Sequence, residues 1–344
     1  MRRPGARTAV LLLAAAALLT FASATGCSRA PNGSAHAGDR NAWTVPGVLR
    51  MAGRQDPDDL NVLFGTQTVD TDLSMFWAGY LFHWSDRNEL VPELATRVPT
   101  LANGDIDANG LAITYHLRRG VRWQDGAPFS ADDVIYTWHQ MLEPRNAVVS
   151  RFGYDIVTRI DRRDPYTIVV HLAHRFSPFV ATFFTMANHP DSILPKHLLA
   201  RYPDLNHVAY NELPIGTGPF RIAKYERGSL IEFVANPRYW RGRPKLDRIE
   251  YHIIPSDNTM LSLIQSHQID FFYRAPETMA QNLHGIPGTR VNLSPFTRFA
   301  DLGFNEAAPA LSDVRVRRAL AYATDRQALI DKVTHGITIP GNTD

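Results

Sequence analysis

The chain has 344 residues, 44% of them hydrophobic, with 36 Lys and Arg against 34 Asp and Glu, and a single cysteine. That much apolar chain can bury a core in more than one lobe, and one cysteine excludes an intramolecular disulfide. Arg2, Arg3 and Arg7 stand in the first 26 residues, so the remainder carries 33 basic against 34 acidic groups, a balance that excludes the clustered positive excess of a nucleic-acid footprint.

Val10 to Phe21 is almost wholly apolar, follows the basic head, and leads into Ala24-Thr25-Gly26-Cys27. A basic head, a short apolar core and small residues describe an export signal over residues 1–26, not a spanning helix. The core is too short to cross a bilayer and stay there, and no other stretch reaches that length. Cys27 after small residues resembles a bacterial lipobox, whose thiol receives a diacylglycerol, although Ala24 stands where lipoboxes usually carry Leu. Ordinary cleavage after Ala22-Ser23-Ala24 is the alternative. Both place the mature chain outside the cytoplasmic membrane; the lipobox would also anchor it there by lipid. Residues 27–44, rich in Pro, Gly, Ser, Ala and Asn, read as a flexible tether.

The body opens with a strand near Leu49 to Ala52. Ile113, Tyr115 and Leu117 alternate with polar residues, as a half-buried strand should, and Val121-Arg122-Trp123 can continue the ribbon towards the Asp125-Gly126 turn. Ser130 can cap a helix in which Asp133 favours the positive end, with Val134, Ile135, Trp138, Met141 and Leu142 on one face. Glu143-Pro144 stops it. Tyr166 to Leu172 reads as a strand, and Phe220–Tyr225 with Leu230–Ala235 as a hairpin through Arg227-Gly228. Ile249, Tyr251 and Ile253 alternate in a further strand. Ser256 then caps a helix, and Ile269 to Phe272 returns as a strand, a strand–helix–strand unit of mixed or parallel sheets. Ser312 or Asp313 caps one late helix. Asp325 caps another, which Gly336 can close.

Five blocks in this order resemble the bacterial extracellular solute-binding proteins of family 5, which serve peptide and nickel ABC importers. They are Leu90-Val91-Pro92-Glu93-Leu94-Ala95, Trp123 to Val134 (WQDGAPFSADDV), Gly216-Thr217-Gly218-Pro219-Phe220, Asn236 to Pro244 (NPRYWRGRP), and Asp313 to Leu320 with Ala323-Thr324-Asp325-Arg326. Thr324 replaces a usual Ile, and His267-Gln268 a usual Gly-Glu. The resemblance implies an α/β, two-lobed periplasmic-binding-protein-like (type II) fold with hinge-linked lobes. Lobe I would comprise residues 45–80 and 210–304, with an extension subdomain over 81–209. Residues 305–344 would start lobe II, which is largely missing because members of the family continue well past the position of Asp344. On that reading the chain is C-terminally truncated and does not close a cleft alone.

The hallmark motifs read as turns, caps and packing. His171 and His174, the closest histidine pair, would face opposite sides of a strand, and no compact metal-ligand spacing occurs, so no metal and no cofactor is expected. The neighbours Asp58-Asp59 and Asp132-Asp133 do not flank a bond as hydrolytic carboxylates must, and neither a G-x-S-x-G elbow nor an H-E-x-x-H helix is present. The resemblance implies a substrate-binding component of an ABC importer, not an enzyme: it would capture an oligopeptide or similar small solute and deliver it to a permease, as a monomer. An extracellular lipoprotein hydrolase acting on peptides or glycans, or a ligand-sensing receptor on the same scaffold, are the alternatives. The implied ligand-binding residues border the cleft: Gln55 after the first strand, and Arg298, Phe299 and Asn305 on the crossing into lobe II. Phe299 could equally be core, and Arg298 a surface ion pair.

Overall fold

The computed structural model describes residues 41–186, 191–276, 279–292, 301, 303–334, 336 and 338–339. Cys27, Arg298 and Phe299 lie outside them, as does the whole export segment. No helix among the described residues is long and apolar enough to cross a membrane.

The body beginning at Trp43 is built on three sheets. The largest has β1 (Val48–Gly53) near one edge, followed in space by β10 (Arg248–Ile253), β9 (Leu230–Ala235) and β8 (Phe220–Glu226), with β11 (Phe271–Phe272) on its other side. β1 runs parallel to both β10 and β11, while β10–β9 and β9–β8 are antiparallel. The β8–β9 hairpin turns through Gly228 at φ +71°, where a β-carbon would be strained.

Helix α1 (Thr68–Trp77) covers one face of this sheet. Its Val69, Leu73 and Trp77 recur every four residues and pack with Met51, Ile231, Phe233, Ile249 and Tyr251. Ala52, the neighbour of Met51, joins a different cluster with Met260, Ile264 and Ile269. Successive strand residues face opposite sides, so β1 is covered on both. The second cover comes from the helix over Asp257–Gln265, capped by Ser256.

A second hydrophobic cluster gathers Val62 and Leu63 with residues between Leu81 and Tyr210. The antiparallel sheet β4–β6–β5 (Ala112–His116, Thr167–Leu172, Val157–Asp164) and the small sheet β3–β2–β7 (Leu90–Pro92, Phe82–Trp84, Thr185–Met186) pack with helix α2 (Ala131–Leu142) around Tyr115, Trp123, Phe129, Met141, Phe183 and Phe184. Each large side chain fully buried there contributes about 2–3 kcal/mol. Ser130 caps α2 through the Asp132 N–H (3.3 Å), and Asp133 accepts from the Ser130 N–H at 2.9 Å. The segment Val121-Arg122-Trp123 makes only an isolated bridge, Arg122 to Pro128, rather than a continued strand.

Four of the sequence blocks meet where this core joins the five-stranded sheet. The Gln124 amide accepts from the Gly216 N–H (3.1 Å) and donates to the Phe220 carbonyl (2.7 Å). Asn236 donates to the Gly218 carbonyl at 3.0 Å. Arg118 and Arg241 lie over the Trp240 ring, 4.2 and 4.5 Å from its centroid, and donate to the carbonyls of Glu93 and Pro92. The motifs thus fasten one module to the other.

Towards the C-terminus the remaining long helices span Val314–Ala323 and Arg326–Val333, capped by Asp313 and Asp325. The Gly336 N–H closes the second on the Ile330 carbonyl at 3.2 Å. In chain order the helix over Asp257–Gln265 is α3, and these two are α4 and α5. Neither of the two buries a residue; Val314, Leu320 and Leu329 are exposed.

Candidate functional site

β1, β10 and β11 are mutually parallel, so their carboxyl ends fall on one side of the sheet. In α/β sheets a crevice at those ends is the usual place for a ligand. A cavity of about 420 Å³ opens there, lined by Arg54 and Gln55 after β1, Tyr251 within β10 and Pro255 beyond its end, Tyr273 and Arg274 after β11, and Val69 of α1.

Each wall is held from behind. The Tyr251 hydroxyl donates to the Gln55 carbonyl at 3.0 Å, fixing the loop after β1. The next residue, Asp56, accepts from the Tyr225 hydroxyl (2.7 Å) and the Gly228 N–H (2.8 Å), tying that loop to the β8–β9 hairpin. The Tyr273 hydroxyl donates to Asp72 of α1. Arg274 Nε donates to the Tyr273 hydroxyl at 2.6 Å and lies 3.0 Å from Asp72. Burial pushes the Asp72 carboxyl above its ordinary range, opposed by Tyr273 and Arg274. Burial also raises both tyrosines, so at neutral pH their hydroxyls are donors. Arg54 pairs with Asp257, at the start of α3, at 3.1 Å.

Of the residues expected to touch ligand, Gln55 lines this crevice. Asn305 does not line it; its side chain accepts from the Ala307 N–H at 3.2 Å in a local turn. Arg54, Tyr251, Tyr273 and Arg274 escaped the sequence reading. For Arg54, Tyr273 and Arg274 the signal was positional, since they stand within two residues after a strand of the parallel set, whereas Tyr251 lies inside β10.

The dismissed carboxylates have structural partners. Asp58 accepts from the Thr66 N–H (3.0 Å), Asp59 from the Asn61 N–H (2.8 Å) and Asp133 from the Lys196 N–H (3.1 Å). His171 meets Asp161 across the strands at 2.8 Å, whereas His174 contacts the Arg175 carbonyl. Among the described residues no three His, Cys, Asp or Glu side chains are grouped to hold a metal ion.

The architecture is that of an α/β periplasmic-binding-protein-like scaffold. Residues 89–344 match the model of the bacterial extracellular solute-binding proteins, family 5 (middle region). The chain belongs to that family, one of solute-binding proteins and not of enzymes.

The oligopeptide-binding protein AppA of Bacillus subtilis is 27% identical over 337 residues, covering 96% of this chain and 59% of the relative. Protein XP55 of Streptomyces lividans is 30% identical over 327 residues, covering 95% and 56%. The structure of Bacillus subtilis AppA in complex with a nonapeptide superposes with a TM-score of 0.72 at 27% identity, over 85% of this chain and 56% of that one. NikZ of Campylobacter jejuni in complex with Ni(L-His) gives 0.73 at 23% identity, over 87% and 58%, and supports the fold alone. The chain thus spans little more than half the length of these relatives.

Proposed function

We propose that this chain is the solute-capturing part of an ABC importer, taking an oligopeptide outside the membrane and handing it to a permease. The carrying observation is the crevice where three parallel strands end, lined by arginine, glutamine and tyrosine groups over an apolar floor of Val69 and Pro255. An extended peptide suits such a wall, because main-chain hydrogen bonds hold it while side chains vary. The likeness to AppA, solved with a nonapeptide, supports the same ligand class. No bond is made or broken; affinity comes from burial and hydrogen bonding.

In this reading residues 45–80 and 210–304 form lobe I, residues 81–209 its extension, and residues 305–344 enter lobe II. Arg298, Phe299 and Asn305 on that crossing are ligand contacts in this reading, with Gln55 on the loop after β1. The lobes close about the hinge as a clamp. The working protein is a monomer, tethered to a lipid on Cys27 by the segment before Trp43, whose ring stacks on His267 in the body.

Native mass spectrometry of the full-length protein purified from its host tests this reading. The expected spectrum shows the protein with retained peptide masses. Cleavage of added peptides, or retention of a non-peptide solute, would contradict it.

A further inference from the structure

The crevice surface carries two guanidinium groups, Arg54 and Arg274, and no carboxylate among the described residues that line it. Each arginine is paired with a carboxylate that does not line the crevice. Asp72 is 17% exposed against 37% for Arg274, and Asp257 38% against 47% for Arg54. In both pairs the positive partner is the one turned more towards solvent. Both ion pairs run through Nε; the one at Arg54 is a charge pairing, since Asp257 Oδ1 accepts no hydrogen bond among the described residues.

Arg274 shows a second sign of selection for its side chain. Its φ is +53°, in the left-handed region that disfavours a residue bearing a β-carbon. Glycine or asparagine would fit that backbone at lower cost. Backbone of this kind persists where the surroundings over-determine it, and it gathers at ligand clamps. Here the surroundings are Tyr273 and Asp72, which fix the head group at the crevice wall.

We propose that the crevice selects solutes bearing a carboxylate, received by Arg54 and Arg274. The inference rests on the peptide-binding reading above and adds to it the charge of the part that meets this wall. A guanidinium matches a carboxylate in shape and donates charge-assisted hydrogen bonds to it. The carboxylate belongs either to the peptide C-terminus or to an acidic side chain; the chemistry is shared, and the test separates the two.

The test is an NMR titration of the chain, carried into the millimolar range, with four probes. These are trialanine, trialanine amide, an amidated tripeptide with a central glutamate, and its glutamine counterpart. A terminal carboxylate is read if trialanine binds about tenfold tighter than its amide; a side-chain carboxylate is read if the glutamate peptide exceeds the glutamine one by the same factor. In Arg54→Gln and Arg274→Asn that preference disappears, so that charged and neutral probes bind alike. Asparagine tolerates the left-handed backbone, so Arg274→Asn removes the guanidinium without straining the turn; an unchanged thermal melt verifies it. Equal binding of charged and neutral probes by wild type, or a preference that survives both substitutions, overturns the inference and leaves the peptide reading standing. Binding of none of the four probes contradicts the peptide reading itself.

Discussion

Gly216 has no room for a side chain. A β-carbon there would lie 1.9 Å from the Trp77 carbonyl oxygen, which belongs to the last residue of α1. Backbone cannot give way as a flexible side chain can, so Gly216→Ala should cost about 3 kcal/mol, read as a lower midpoint in urea unfolding. Asp70 offers a test of another kind. It is 1% exposed and accepts from the N–H groups of Gln67 (2.8 Å) and Asp58 (3.2 Å). Burial, reinforced by the Asp58 carboxyl, pushes it up to about 9. A carboxyl raised in the folded state holds a proton that the unfolded chain has already released. Its contribution is therefore complete below the unfolded value and lost as pH rises through the folded one. Wild type should lose stability between about pH 4 and about pH 9, and Asp70→Asn, which keeps an acceptor oxygen, should lose less over that range. Thermal melts across the series check the sign.

At the scale of elements, the sequence blocks act as fasteners between sheets. Gln124 bridges the Gly216 N–H and the Phe220 carbonyl. Gln124→Ala leaves both without that partner and should destabilise the chain by about 2 kcal/mol, measured by urea denaturation. Helices α4 and α5 bury no residue, and helices of such length are marginal without packing. Their amides should exchange with solvent orders of magnitude faster than those of β1, β9 and β10 in hydrogen-exchange measurements. Local signals made much of this legible. Ser130, Ser256, Asp313 and Asp325 all cap the helices that their side-chain chemistry announces, and the alternation of Ile249, Tyr251 and Ile253 buries one face of β10. Pairing was less legible. The β10–α3–β11 unit follows the local pattern, but β1 lies between its two strands. That register joins residues about two hundred positions apart and leaves no periodic trace. The crevice lining was less legible for the same reason: the family resemblance pointed to Gln55 in the loop after the first strand, whereas Tyr273 and Arg274 come beside that loop only once β11 pairs with β1.

For the molecule as a whole, the parallel strands β1, β10 and β11 bring the loops that follow them to one side of the sheet, and α1 with the β8–β9 hairpin holds those loops in place. A second depression of similar size, lined by Thr96, His116, Arg118, Arg119 and Tyr166, lies on the other module. It provides an internal control for where a solute goes. The most direct test of the account is an NMR titration of the chain with an unselected tripeptide mixture, following assigned resonances. The account predicts shifts centred on Arg54, Gln55, Val69, Tyr251, Tyr273 and Arg274. Shifts centred on His116, Arg119 and Tyr166 instead, or none at millimolar peptide, would contradict it.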